Sequence, residues 1–340
     1  MIASSGKSVS AWQVVGNLVT WRSLMPRALD LFCGAGGSSV GARAAGFEIA
    51  GAVDMWPVAT DTFRANFPLA HVVTARLESI PLRAFKRRVG EIDLLLASPE
   101  CTSHTCAKGS APRSEASRRT ALHVVAYAQA FRPRWLVLEN VVHMRPWSRY
   151  QTLMSRLREL GYHLSEQVLE ASDFGVPQSR RRLFIVGDLK RPPRLVLSKR
   201  SGRKPTAKSI LDSSGTWRTS LLFKPTRAVE TLKRADRALA ALGPNSEFLL
   251  VYYGTDGAGG WQPLDRPLRT ITTVDRFALV ERSGSAWTMR MLQVPELKRG
   301  MGLGDDFVLP CGTRRERIHL LGNGVCPPVM ETVIKTLTGE

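Results

Sequence analysis

Along the first 190 positions, short apolar runs alternate with longer stretches in which apolar residues return every three or four places. The first pattern suits buried strands and the second amphipathic helices. Arg27–Phe32 reads as a strand that runs into Cys33-Gly34-Ala35-Gly36-Gly37 and a small-residue, helix-compatible stretch, Ser38–Ala45. Phe47–Val53 predicts a second strand ending at Asp54, Pro57–Phe67 a helix, Ala70–Thr74 a third strand and Asp93–Ala97 a fourth. The alanine-rich Ser114–Ala130 predicts a helix, and Arg134–Leu138 a strand ending in Glu139-Asn140-Val141. Tyr150–Leu160 follows as a helix closed by Gly161, and Tyr162–Glu170 as a further strand. The turn Phe174–Gln178 then leads through Ser179-Arg180-Arg181-Arg182 into Leu183–Val186. Strands alternating with helices predict an α/β fold with a doubly wound, Rossmann-like sheet.

From Lys190 to Asp265 the periodicity fails. Basic residues from Lys190 to Lys208 crowd a stretch bearing proline, serine and glycine; only Thr226–Leu242 has helical spacing, and Phe248–Tyr253 reads as a strand. This is the pattern of an inserted basic recognition region of roughly 75 residues, too small for a generous core of its own and expected to lean on the main domain. Order resumes at Arg266. Met291–Met301 predicts a helix, Gly302–Arg317 a loop, and the glycines and prolines of Leu320–Val329 a tight, rigid turn before a last helix.

The whole chain has 340 residues, enough for one large domain with an insertion or for two domains. Lysine and arginine number 48 against 29 acidic residues, a net charge of +19. Such an excess favours a polyanionic partner, nucleic acid before a membrane surface, because no basic amphipathic helix dominates. Met1–Pro26 reads as an N-terminal extension without a signal-peptide core, and no apolar run has membrane-spanning length. Five cysteines, at 33, 101, 106, 311 and 326, are odd in number and lack metal-site spacing, so a reducing cytoplasm and no metal are expected.

Two features carry candidate chemistry. A glycine-rich turn between strand and helix, with an acidic residue, Asp54, about 20 positions on, suits an adenosine-containing cofactor: glycines admit the backbone to the ligand and the carboxylate takes a ribose diol. The second feature is Asp93–Thr105, an apolar strand broken at Ser98-Pro99, which places Cys101 on a loop past a strand's carboxyl end. Ligands bind along that rim in open α/β sheets, and a thiolate there can attack a substrate. Glu139, at the end of the next strand, opens onto the same rim, and the arginines at 180 to 182 suit phosphate or a base carbonyl.

In this order the pieces resemble the DNA cytosine methyltransferases that modify carbon 5 of the base. DLFCGAGG at 30–37 looks like the family's cofactor loop and the Cys101 loop like its nucleophile motif; ENV at 139–141, QSRRR at 178–182, RPLRTI at 266–271 and GNGVCPPV at 322–329 match its later motifs. The resemblance implies a Rossmann-like methyltransferase sheet with an inserted target-recognition region: catalytic domain 27–189, recognition region 190–265, and a return to the catalytic domain over 266–340. It implies S-adenosyl-L-methionine as cofactor and double-stranded DNA as partner for a monomeric, cytoplasmic enzyme associated with the nucleoid. Cys101 is then the nucleophile, Glu139 the carboxyl at ring N3 with Asn140 positioning it, and Arg180 and Arg182 hold the base carbonyl and orient the loop. Phe32, Gly34, Gly36 and Gly37 line the cofactor site, Asp54 takes the ribose and Met55 the adenine face, and Leu77, Pro99, Asn323 and Val325 complete the wall. His104 rides on the catalytic loop.

Two departures stand out. Glu100-Cys101-Thr102 replaces the usual Pro-Cys-Gln, and a carboxylate pointing inward beside the thiol raises its pKa. After the third strand, Arg76-Leu77 stands where the family places an aspartate against the adenine amino group. These departures keep a catalytically silent DNA-binding relative open as an alternative, and the resemblance also leaves open a tRNA cytosine-5 methyltransferase of the same chemistry.

Overall fold

The computed structural model describes residues 25–99, 115–197, 203–253 and 259–339, with 115–119 described by their backbone. Cys101 lies outside the described residues, as do Glu100, His104 and Cys106. The elements up to residue 188 are β1 Arg27–Leu31, α1 Gly37–Ala44, β2 Glu48–Asp54, α2 Pro57–Asn66, β3 His71–Thr74, α3 Leu82–Val89, β4 Leu94–Ala97, α4 Glu115–Phe131, β5 Trp135–Asn140, α5 Tyr150–Glu159, β6 His163–Glu170 and β7 Arg181–Asp188. Their seven strands form one sheet in the order β3-β2-β1-β4-β5-β7-β6. The first five run parallel, while β7 is antiparallel to both of its neighbours.

Burial on both faces explains why β4 is short and wholly apolar, while β1 and β5 add only a few polar residues, among them buried Asp30, Glu139 and Asn140. Leu94 and Leu96 of β4 enter one core, and Leu95 and Ala97 enter the other. The strand order reverses between β1 and β4, which opens a crevice at their carboxyl ends. Every strand and helix expected up to residue 188 is present within a few residues of its expected bounds. The one addition is α3, whose sequence LRAFKRRV buries only Phe85 and Val89 and so carries little apolar signal.

The remaining elements are β8 Ser220–Leu221, α6 Val229–Leu242, β9 Phe248–Val251, β10 Trp261–Pro263, β11 Phe277–Ser283, β12 Ala286–Met291, α7 Val294–Gly300, α8 Arg314–Asn323 and α9 Pro327–Thr338. A second, antiparallel sheet runs β10-β9-β11-β12-β8. It takes β11 and β12 from beyond Asp265, where the sequence shows only returning order, because β11 pairs with distant β9. One face of this sheet packs Phe248, Leu250, Ala278 and Val280 against Ala235 and Ala238 of α6; the other gives Leu249, Val251, Phe277 and Leu279 to the main core.

Three expectations in the tail are corrected. The helix expected from Met291 starts at Val294, since Met291 ends β12 and a capping box joins Gln293 to Glu296. The expected loop Gly302–Arg317 is shorter, because a Thr313–Glu316 capping box starts α8 at Arg314. The turn expected around Asn323 also begins later: Leu320–Asn323 is the last turn of α8, and the chain bends at Gly324.

Two glycines fix how α9 closes on the first unit. A Cβ on Gly37 would meet the Val325 carbonyl oxygen at 2.3 Å, and one on Gly41 the Pro327 oxygen at 2.8 Å. The backbone of the C-terminal motif thus lies directly on the first helix.

Candidate active site

A cavity of ≈ 740 Å³ opens where the strand order reverses, a size common for small-molecule sites. Its floor comes from the ends of β1, β2, β4 and β5 and its far wall from α8 and the bend after it. Phe32 leaves β1 with φ 56, a left-handed conformation rare for a bulky residue, and Gly34 follows at φ 51. That course turns the chain so that Gly34 N–H donates to Asp54 Oδ2 at 3.0 Å. The Trp56 N–H donates to the other oxygen at 2.9 Å. Asp54 is thereby locked at the end of β2 with its carboxylate on the cavity wall.

Behind the turn, Asp30 is fully buried; burial pushes its carboxyl up to about 7, and the Ser39 hydroxyl donates to it at 2.7 Å. Burial also pushes the thiols of Cys33 and Cys326 up, the latter to about 11, so neither is a ready nucleophile.

Of the residues assigned to a cofactor, Phe32, Gly34, Gly37, Asp54, Met55, Leu77, Pro99, Asn323 and Val325 all line this cavity. Gly36 does not: it precedes α1 at φ 102, with Phe63 and Phe67 pressed so close that a Cβ would strike Phe67 at 2.8 Å. Leu77 is buried and its carbonyl accepts the Tyr127 hydroxyl at 3.0 Å, while Arg76 sits exposed on the rim beside Glu78.

The wall also holds residues the sequence reading passed over. His319 lies one turn before Asn323 on α8, its Nε2 3.0 Å from the Asn323 amide nitrogen and its ring edge-on to Trp56 at 5.2 Å. The i, i+4 spacing to Asn323 was the available signal. Trp56 adjoins Met55 and Glu78 adjoins Leu77, yet neither belongs to a motif by itself. Replacing Asp54 by alanine is expected to weaken binding of an adenosine-containing ligand about tenfold or more, since a charge-assisted hydrogen bond is worth roughly 1.5–3 kcal/mol; calorimetric titration reads it.

At the other end of the cavity stands Glu139, 5% exposed near the tip of β5. Burial raises its carboxyl above the ordinary value, against the opposing pull of Arg182 and Arg180. Arg182, entering β7, places Nε 3.1 Å from Glu139 Oε1 and fixes the direction in which the carboxyl points. Asn140 is buried outside the cavity wall: its Nδ2 donates to the Pro99 carbonyl at 3.1 Å and its Oδ1 accepts the Val141 N–H. Its amide therefore anchors the chain two residues before Cys101, whereas the sequence reading had it positioning Glu139.

Arg180 also differs from the simple expectation. It is 2% exposed and donates to the carbonyls of Ile271, Gly322 and Gly324 at 3.0, 2.8 and 2.8 Å. Gln178 donates to Gly300 and accepts from Ile271, and the Thr270 hydroxyl donates to the Ser179 carbonyl. The three late motifs are thus one hydrogen-bonded unit with Arg180 at its centre, and both Arg180 and Arg182 bring positive charge to Glu139. Cys101 lies outside the described residues, and no metal-binding cluster occurs among those described.

A sequence model described as C-5 cytosine-specific DNA methylase matches residues 27–339. The chain is 35% identical over 175 residues to the Type II methyltransferase M.AquIA of Picosynechococcus sp., an alignment covering 47% of this chain and 71% of that protein. It is 34% identical over 163 residues to M.HgiDI of Herpetosiphon aurantiacus, covering 47% of this chain and 52% of the relative. A human tRNA (cytosine(38)-C(5))-methyltransferase is 26% identical over 171 residues, 49% of this chain and 43% of that one. Among solved structures, a putative DNA modification methyltransferase encoded in an E. coli prophage has the same fold at TM-score 0.64 and 20% identity, covering 93% of this chain and 100% of the other.

Proposed function

The chain belongs to the C-5 cytosine-specific DNA methylase family, and from that membership we propose that it methylates carbon 5 of a cytosine swung out of double-stranded DNA, with S-adenosyl-L-methionine as donor. The observation that carries this reading is the placement of Glu139, buried and aimed by Arg182, in the same cavity as the glycine turn and Asp54. One void thus joins a dinucleotide-type half to a carboxyl suited to a pyrimidine ring.

The cavity suits the cofactor: Asp54 would hold the ribose diol, Leu77 and Met55 the adenine, and the backbone from Phe32 to Gly34 would come close beside them. When bound, the cofactor supplies an electrophilic methyl group. The work on the base falls to the chain. Cys101 Sγ bonds to carbon 6 while the ring's electrons move toward N3, where the Glu139 carboxyl donates. Carbon 5, now an enamine carbon, would take the methyl group as the methyl–sulfur bond breaks; the carbon 5 proton then passes to solvent, the N3 proton returns to Glu139, and expulsion of the Cys101 thiolate restores the aromatic ring. Arg182 holds the Glu139 carboxyl in place, and Asn140 holds the root of the Cys101 loop through Pro99. Extruding the base costs a few kcal/mol, which contacts from the recognition sheet to the opened duplex offset.

Trapping tests the reading. A duplex carrying 5-fluorocytosine at target sites, incubated with cofactor, is expected to give a denaturant-resistant protein–DNA adduct that Cys101→Ala does not form. Adduct on fluorinated tRNA in place of DNA would move the assignment to the tRNA branch, and no adduct on either would leave a silent binding protein. Sequencing of methylated DNA from expressing cells then gives the target.

A further inference from the structure

On one side of the main sheet, α3, α4 and α5 pack in a row, and the outer surface of that layer is strongly basic. α3 turns Phe85 and Val89 inward and leaves Arg83, Arg87 and Arg88 exposed; α5 buries Leu153, Met154 and Leu157 and exposes Arg156 and Arg158. None of these five arginines forms an ion pair among the described residues. Exposed Arg132 stands between the two rows, on the turn after α4, and donates to the Leu160 carbonyl at 2.7 Å. The acids nearby are few: Glu159 on α5, and Glu91, which Lys86 meets at 3.2 Å.

This face serves nothing in the cavity. Helices that follow parallel strands run back along the sheet, so the last turns of α3 and α5 lie where the strands begin. Arg27, the first residue of β1, donates to the Glu91 carbonyl at 3.0 Å, which fixes that end, and the cavity lies at the other. Arg83 and Arg87 are one helical turn apart, a spacing at which like charges destabilise a helix. With α4 between them, the arginines of α3 and α5 stand roughly 16–20 Å apart, two interaxial distances. A single phosphate does not bridge that gap, whereas a rod of phosphates does. The exposed neighbours are Ala84, Ala126, Gln129 and Ser155, and no large apolar side chain is exposed on these helices to insert into a membrane.

We propose that the face of α3 and α5, centred on Arg87, Arg88 and Arg158, binds the phosphate backbone of a second stretch of duplex DNA, remote from the target cytosine and independent of its sequence. The inference rests on the reading of DNA as substrate. It gives the enzyme a second grip on long DNA that a short target duplex never engages.

The triple variant Arg87→Glu/Arg88→Glu/Arg158→Glu, with the corresponding glutamine triple as a milder second variant, separates the two grips. Expected are at least about tenfold weaker binding of a long duplex lacking target sites and a salt dependence shallower by roughly 3 in log–log slope, about 0.9 for each phosphate contact removed. Methylation of a short target duplex and the affinity for S-adenosylhomocysteine are expected to stay as in the unmodified chain. Unchanged long-duplex binding, an equal loss on short and long duplexes, or a loss confined to tRNA would each overturn the proposal. Failure of the functional reading looks different: the unmodified chain would bind DNA and form no fluorocytosine adduct.

Discussion

Glu139→Gln is expected to slow methyl transfer by about 10²–10⁴-fold, the usual contribution of a positioned acid or base. Glutamine keeps the volume and one hydrogen-bond donor at ring N3 but has no proton to give, so the developing negative charge is left without its acid. Arg182 stays in place to hold the substituted side chain, and S-adenosylhomocysteine affinity is expected to change little because Asp54 and the glycine turn lie at the cavity's other end. Single-turnover methylation with saturating DNA measures the effect, and a rate within a few-fold of the unmodified chain would remove Glu139 from the chemistry. The pH dependence has a definite sign. Burial raises the Glu139 carboxyl, so the folded chain holds this proton more tightly than the unfolded one. Its contribution to stability is present at acid pH and is lost as pH rises from the ordinary carboxylate value through the raised folded one. The donor is lost over the same rise, so methylation falls on that limb, and Glu139→Gln flattens the stability limb.

Arg180→Ala is expected to cost about 3–5 kcal/mol of stability, the range for breaking a buried, charge-bearing set of hydrogen bonds. Its guanidinium serves three carbonyls from two distant segments, those of Ile271 and Gly322 buried and that of Gly324 part-buried. Each carbonyl left without a donor costs roughly 1–3 kcal/mol before the cavity left by the side chain is counted. Lysine is expected to recover less than half of this, because an ammonium cannot present the planar fork of donors. Urea unfolding followed by tryptophan fluorescence gives the comparison. A loss under about 1 kcal/mol would mean the late motifs hold together without Arg180. Gln178 and Thr270 bridge the same segments, so the expected failure is loss of the α8 wall, and with it Asn323 and Val325, before the parallel sheet.

The motif at 178–182 shows how far side-chain type carries. Three arginines in a turn suit phosphate or base contacts equally well, and the chain alone does not say which of them is buried. Folding divides them: Arg181 is exposed, Arg180 donates to backbone carbonyls from beside the cavity, and Arg182 forms an ion pair with Glu139. The second sheet is a parallel case. In the hairpin of β11 and β12, β11 pairs with β9 and β12 with β8, Met289 opposite Ser220 across most of the recognition region, and pairing at such separations leaves no mark in local periodicity.

The sequence by itself determined the alternating strand and helix order, the glycine turn with Asp54 twenty places on, the basic balance and the family's motif order, because each is written in neighbouring residues or in composition. Only the tertiary structure decided that Asn140 anchors Pro99, that His319 and Trp56 join the cofactor wall, and that the GNG bend lies on Gly37. Those outcomes depend on which segments approach within a few ångströms, and such proximity is a property of packing between stretches that lie from 41 to more than 200 residues apart rather than of any one stretch of chain.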